Sequence, residues 1–326
     1  MGKARAIVKR RKAVRNIKKI TRTMQMVSTA KFQKSLKRTL ASKPYTLKVR
    51  ELVRELAGSV QNVDHPLLRK PEGSAMTNRI MVVVITSNRG LCGAYNSNVL
   101  KTAVRFLKQQ EAAGKTVELF AVGKKGAAYF NFQKRAIAAR QDRLAEVPSY
   151  ETIEEVLQPV ISRFAQGELD AIHFVYMNFV STGVQRPEVA TILPLVGLQE
   201  SMDNLAMQVA EKEAQASAGL MDAKRRGDDV KVSALEATGK KADYEFSPDA
   251  ESLLNELLPM TVKATIYQAL LDSMTSEHVA RMVAMKSATD NADKMGKALA
   301  LEYNRARQSQ ITTELAEIMG GVESMK

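Results

Sequence analysis

Apolar positions along the chain follow three different periods, and each period predicts a different kind of element. From Lys3 to Lys43 there is no Gly and no Pro, and the apolar residues Ile7, Val14, Ile17, Ile20, Met24, Val27, Ala30 and Leu36 recur mostly three, four or seven apart. That is the narrow stripe of a long helix paired with another helix, and Pro44 is expected to stop it. At ~1.5 Å per residue the rod would be roughly 60 Å long. A second helical stretch, Leu47 to Val63, precedes a loop around His65-Pro66 and Pro71 to Ser74.

At Arg79 the period changes. Arg79 to Thr86 is a β-branched run of the kind buried in a parallel sheet, and Thr116 to Val122, Leu169 to Val180 and Pro187 to Leu195 read similarly. Helical patterns at Asn98 to Ala113, Lys124 to Gln133 and Ile153 to Gln166 alternate with the strands. This alternation predicts a compact α/β domain over 76–198, with the last two strands an antiparallel pair around Ser181 to Arg186.

Residues 199–247 carry few aromatics and no strand pattern, which predicts helix of uncertain persistence or a mobile insertion. Ser247-Pro248-Asp249-Ala250-Glu251 then reads as a helix start, with serine as cap, proline at the first helical position and acids in the first turn. From Asp249 to Met319 only Pro259 and Gly296 interrupt a helical pattern, and Gly320-Gly321 is expected to end it. Val279, Met282, Ala288, Ala292, Leu299, Tyr303 and Ala306 fall at coiled-coil spacing on this second rod. The two ends therefore predict an antiparallel coiled coil carrying the α/β domain on its side. The expected divisions are 1–75, 76–198, 199–247 and 248–326.

Composition changes this picture in one respect. The 326 residues are 45% apolar and 26% charged, as in a globular protein, with a net charge of +14. Residues 1–43 hold fifteen of the 49 Lys and Arg and none of the 35 acids, so the chain is nearly neutral apart from one basic arm. Such an arm needs either an opposing acidic surface or a helix that it packs against, and three readings stand: a DNA-binding helix, an organelle presequence, or a shaft inside or beside a large acidic assembly. The longest apolar run, Ile80 to Ile85, is far short of the ~20 residues of a membrane span, and no secretory leader is visible at the start. One cysteine, Cys92, and three scattered histidines exclude an internal disulfide and the common zinc sites.

Candidate chemistry is sparse. Ser87 to Gly93 follows a strand and precedes a helix, where phosphate loops sit, yet it is neither GxGxxG nor GxxxxGK[ST]. Gly123-Lys124 lacks the glycine five residues earlier, and neither Ser nor Thr follows the lysine. Ser28 to Lys31 matches SxxK without any companion motif. No paired carboxylates or Ser, His, Asp set can be assembled, so no intrinsic active site, cofactor or metal is expected. The methionines of the two rods read as core filling or as a soft contact surface.

Three segments carry a resemblance. Ile17 to Val27 (IKKITRTMQMV), Ser87 to Asn96 (SNRGLCGAYN) and Arg281 to Asn291 (RMVAMKSATDN), the last followed by Tyr303 to Gln308 and Ile311 to Leu315, are similar to signatures of the gamma subunit of the F-type ATP synthase. The segments lie in the family's order and span both ends and the middle. The resemblance implies an α/β fold class, with a long antiparallel coiled coil of the N- and C-terminal helices plus a central Rossmann-like α/β domain. It implies the central rotor shaft of that synthase, a peripheral, non-catalytic part of the CF(1) portion coupling hydrogen ion transport to ATP synthesis.

The implied partners are three alpha and three beta subunits, the epsilon subunit and the membrane c-ring, with no nucleic acid and no direct membrane span. Arg307 and Gln308, with Thr312 and Glu314, would face a catch loop of a beta subunit. Arg281, Arg22 and Met24 would lie where the coiled coil leaves the ring, close to acidic beta loops. The absent leader points to the cytoplasmic face of a bacterial inner membrane. The 199–247 insertion looks longer than in ordinary bacterial members, as a brake on hydrolysis or as tolerated length, and a single cysteine excludes the dithiol switch of photosynthetic relatives.

Overall fold

The computed structural model describes residues 2–59, 65–69, 76–142, 150–195 and 250–323. The expected insertion at 199–247 and the helix start at Ser247-Pro248 lie outside the described residues. The elements run α1 (Gly2–Ser59), β1 (Arg79–Ile85), α2 (Tyr95–Ala112), β2 (Thr116–Val122), α3 (Lys124–Phe132), β3 (Ala139–Gln141), α4 (Tyr150–Ala165), β4 (Ala171–Phe179), β5 (Gln185–Leu193) and α5 (Ala250–Glu323).

Two expected breaks are absent. α1 continues through Pro44 to Ser59. The ring removes the N–H that would bond the Leu40 carbonyl, but Leu40 and Pro44 are both on the exposed side, where water can serve that oxygen. α5 likewise runs through Pro259 and Gly296, and through Gly320-Gly321 to Glu323. Glycine tolerates the left-handed conformation that caps a helix without imposing it.

The sheet has the order β3-β2-β1-β4-β5. β1 pairs in parallel with β2 and β4, β2 in parallel with the short β3, and β4 antiparallel with β5. A tight turn, closed by Ser181 and Val184 exchanging backbone hydrogen bonds at 2.9 and 3.2 Å, joins the last pair. All four strands read from periodicity are present, whereas β3, with only three residues, is too short to show a period.

Alternation along β1 sends its side chains to two cores. Ile80, Val82 and Val84 face α2 and α3 with Val99, Leu107 and Phe130. Met81, Val83 and Ile85 face the other way, onto Leu157, Val160 and Phe164 of α4 and onto Leu258, Val262, Ile266 and Leu270 of α5. The lower part of the coiled coil is thus one layer of the α/β domain. At the amino edge of the sheet Arg163 donates to Glu118 at 2.9 and 3.1 Å and to Glu168 at 2.8 Å, and Arg79 donates to Glu118 at 2.7 Å. The hydrogen bond from Arg163, more than any other contact, holds the Glu118 carboxyl below its ordinary range.

Candidate functional site: the rod seam, its free end and the loop at its base

α1 and α5 run antiparallel along a seam with a strict heptad. Ile7, Val14, Thr21, Ser28 and Ser35 are seven apart and buried, as are Phe32, Thr39, Thr46 and Val53. The facing row on α5 is Leu271, His278, Met285 and Ala292, with Thr261, Thr275 and Thr289 beside it. Thr289 donates to Thr21 Oγ1 at 2.8 Å, and Thr275 Oγ1 lies 2.6 Å from Ser35 Oγ and 2.8 Å from Thr39 Oγ1. Lys18 pairs with Asp293, and Lys43 lies 3.8 Å from Asp272. The hydrogen bond from Lys18 is the main cause of a lowered Asp293 carboxyl pKa.

This corrects the expected stripe. Ile17, Ile20 and Val27 are about half exposed, and the seam runs through hydroxyls that a search for apolar residues passes over. Polar residues at core positions of a coiled coil fix register at a cost in stability, and here paired hydroxyls satisfy one another. The unused signal was the run of sevens itself.

The seam also fixes where α1 ends along α5. With Thr21 level with Thr289 and Ser35 with Thr275, Gly2 stands beside about residue 308. Among the described residues, none of α1 therefore stands beside α5 from Gln310 to Glu323, a length of about 20 Å. On or next to this free end lie Arg307, Gln308, Thr312 and Glu314, all exposed. Thr312 donates to the Gln308 carbonyl at 3.0 Å, and Gln310 donates to Glu314 at 2.8 Å. Ile311, Leu315, Ile318 and Met319 are exposed there as well. Along α1 the cations Lys9, Arg10, Lys12, Arg15, Lys19 and Arg22 face outward.

Of the other three predicted residues, Arg281 lies ~39 Å down the rod from Arg307, and Arg22 and Met24, level with residues 288 and 286 of α5, lie about 28–32 Å down. Arg22 is exposed, Met24 is half-buried, and Arg281 is buried at 8% exposure. The structure does not bring Arg22 and Arg281 together. Instead Arg281 turns into its own chain, donating to the Gly90 carbonyl at 3.3 Å, the Arg89 carbonyl at 3.2 Å and Glu277 at 2.6 Å.

The loop Thr86 to Ala94 that Arg281 holds is braced from within. Ser87 donates to the Arg89 carbonyl at 2.6 Å and its N–H to Asn96 Oδ1 at 3.0 Å, while Asn96 Nδ2 reaches Cys92 Sγ at 3.2 Å. Gly93 adopts φ +57°, and a Cβ there would touch Ala284 of α5 at 3.8 Å. Tyr95 is buried beside Glu277, and burial first, that charge second, push its phenol pKa well up.

The same loop occupies the start of α3. The N–H groups of Lys124, Lys125 and Gly126 donate to Asn88 Oδ1, the Ser87 carbonyl and Thr86 Oγ1 at 3.1, 3.1 and 2.8 Å. Gly123 sits at φ +95°, with a Cβ position only 2.1 Å from the Thr86 carbonyl oxygen, so no other residue fits. At the start of α3 the donors that could cradle a phosphate are thus bonded to their own chain. Among the described residues no group of His, Cys, Asp and Glu could hold a metal ion, and no helix is long and apolar enough to cross a membrane. The geometry is that of a shaft and a bracket.

Comparison with known proteins gives the same picture. The family described as ATP synthase matches residues 3–325. The ATP synthase gamma chain of Rhodopirellula baltica is 38% identical over 326 residues, covering 100% of both chains. Those of Leptospira biflexa and Legionella pneumophila are 34% and 33% identical over 325 residues, again with full coverage of both chains. Among solved structures, a chain of the Euglena gracilis mitochondrial ATP synthase, in an assembly of OSCP, F1 and c-ring, superimposes with a TM-score of 0.62 at 18% identity, covering 99% of this chain and 95% of that one. A chain from a structure of the central stalk and c-ring of the Tetrahymena thermophila mitochondrial ATP synthase reaches 0.52 at 20% identity, covering 82% of this chain and 99% of that one.

Proposed function

The chain belongs to the ATP synthase gamma family, as a non-catalytic subunit of the central stalk, and from that premise we propose how its surfaces divide the work of a rotor. The free end of α5 turns inside a ring of three alpha and three beta subunits, with Arg307, Gln308, Thr312 and Glu314 against the catch loop of a beta subunit. Arg22, Met24 and the loop held by Arg281 face acidic beta loops where the rods leave the ring. The α/β domain meets the epsilon subunit and the membrane c-ring, as a peripheral component at the cytoplasmic face of a bacterial inner membrane.

A rod without threefold symmetry touches each catalytic subunit differently, so its angle biases which nucleotide site is open. Rotation then becomes a change in nucleotide affinity, and the chemistry belongs to the beta subunits. The observation that carries this reading is the upper end of α5, where Arg307 and Gln308 are exposed level with the first described residues of α1, and Thr312, Glu314 and four large apolar side chains are exposed beyond them. The acid-free first 43 residues support it, since acidic partners would offset the mutual repulsion of the cations that α1 turns outward there.

Arg307 and Gln308 carry polar coupling, and the exposed apolar residues slide. In the assembled synthase, replacing both with Ala is expected to leave subunit composition unchanged and to lower rotation-coupled ATP synthesis about tenfold, for two lost hydrogen bonds of about 0.5–1.5 kcal/mol each. Full synthesis in an assembled double variant would sink the assignment.

A further inference from the structure

Low on the rods, on the side turned away from the sheet, α1 presents an apolar face. Leu40 and Tyr45 are each 52% exposed, and Pro44 is exposed between them. Tyr45 donates to Met260 Sδ at 3.1 Å, and Met260 is itself 40% exposed, so the face continues across to α5. Leu258 is buried against the sheet, and a step of two residues turns about 200° around a helix, which is why Met260 looks outward. Large apolar side chains gathered on one exposed face mark a contact surface. This one lies about 32 Å below Met24 along α1, clear of every surface given above to a beta subunit.

Two further features say what fits there. Pro44 leaves the Leu40 carbonyl without its helical N–H, which sets an open acceptor among the apolar side chains. The upper edge of the face is cationic, since Lys34 and Lys37 are exposed and residues 1–43 hold no acid. Asp272 and Glu277, at the same height on α5, are engaged by Lys43 at 3.8 Å and by Arg281 at 2.6 Å. At the lower edge Lys48 pairs with Glu51 at 2.9 Å, and Glu256 is exposed a turn below Met260, so the charges there are mixed.

The chain carries a segment of matching chemistry close by. It leaves the described residues at Leu195 and re-enters them at Ala250. Leu195 shares a core cluster with Leu258, and Ala250 stands about 15 Å down α5 from Met260. The residues from Val196 to Met202, fully extended, span about 25 Å, enough to round a helix about 10 Å across. Between Glu200 and Leu220 the chain holds four acids, Glu200, Asp203, Glu211 and Glu213, against one base, Lys212, with Met202, Leu205 and Val209 spaced three and four apart. The stretch that follows, 221–241, has the opposite balance, six bases against four acids.

We propose that residues 200–220 cover this face, with Met202, Leu205 and Val209 on Leu40, Tyr45 and Met260 and with the acids toward Lys34 and Lys37. Asn204 and Gln208 supply donors for the Leu40 carbonyl. A tethered segment acts at an effective concentration on the order of millimolar, so three apolar contacts and a few screened charges suffice to hold it. The segment then turns with the rods as part of the stem and keeps other subunits off that face. The proposal does not rest on the contacts proposed for the free end of α5, and its test reads the chain by itself.

Thiol labelling of the full purified chain decides it, at Ala41, which is exposed next to Leu40. In Ala41→Cys a maleimide is expected to react about tenfold more slowly than in the same variant with residues 200–220 replaced by a Gly-Ser linker of equal length. Cys92, which is buried, stays slow in both. Lys34→Glu/Lys37→Glu, which leaves the segment intact, should restore most of the fast rate, as should Leu205→Asp/Val209→Asp, with circular dichroism checking that each variant folds. Equal rates with and without the segment, or slow labelling that both double variants leave unchanged, would overturn the proposal. So would protection that lapses on dilution, which puts a second copy on the face, and equally slow labelling of the full-length and linker chains in the assembled synthase, which gives it to another subunit.

Discussion

The two halves of α5 are built from similar residues and have opposite surroundings. Leu258, Val262, Ile266 and Leu270 are almost wholly buried against the sheet and α4. Leu301, Leu315 and Ile318, on the same helix, are 64%, 55% and 64% exposed. Burial of the lower set is completed by the chain itself, at about 1.5–3 kcal/mol per side chain. The upper set gains nothing from the isolated fold, so its apolar character makes sense only against a partner. One continuous helix thus joins a region that answers to stability with a region that answers to assembly.

The most direct way to break this comparison is to truncate one residue from each half. Leu258→Ala should lower the unfolding free energy of the chain by about 3–4 kcal/mol, as for other fully buried leucines, and denaturant titration reads it. Leu315→Ala should stay within about 0.5 kcal/mol in the same titration. Equal losses would mean that the upper rod is packed after all.

A second probe uses pH, because a buried titratable group lies on the domain side. His173 in β4 is packed edge-on against Phe106, its Nδ1 lies 3.0 Å from Thr191 Oγ1, and its Nε2 has no hydrogen-bond partner. Burial first, and Lys115 second, push its pKa down from 6.5 to about 4. The sign follows: between 6.5 and about 4 the unfolded chain holds a proton that the folded one refuses, so stability falls as pH falls through that window and is whole above it. The loss is of order 3 kcal/mol at most, and His173→Gln should flatten it. The free end of α5, with no buried histidine, should show no such window in its local hydrogen exchange.

A third and smaller effect tests the junction. Arg281→Ala removes the donor to the Arg89 and Gly90 carbonyls and the partner of Glu277, at a cost of about 2 kcal/mol. Hydrogen exchange should quicken in the loop 86–93. Arg281→Lys should restore little, because an ammonium cannot reproduce the guanidinium fork.

These contrasts show which parts of the molecule could be read in advance. The four longer strands and the helices between them were legible because β-branched runs and helical periods alternate cleanly from Arg79 to Leu193. The seam was misread because Thr21, Ser28, Ser35, Thr39 and Thr275 are polar by type and become core only when paired across two helices far apart in sequence. Pro44 and Gly320-Gly321 are weak punctuation on an exposed rod, where water or a free end takes up what they disturb. Among the candidate residues, Arg307, Gln308, Thr312 and Glu314 are exposed in the free chain. The inward turn of Arg281 was not legible, since no pattern along the chain says that the carbonyls of Arg89 and Gly90 lie beneath it.

Hydrogen exchange measured along α5, in the free chain and in the assembled synthase, tests the division between its halves most directly. The account predicts strong protection over Leu258–Leu271 in both states, and protection over residues 301–323 that appears only on assembly. Protection of the upper residues in the free chain, or no gain there on assembly, would contradict it.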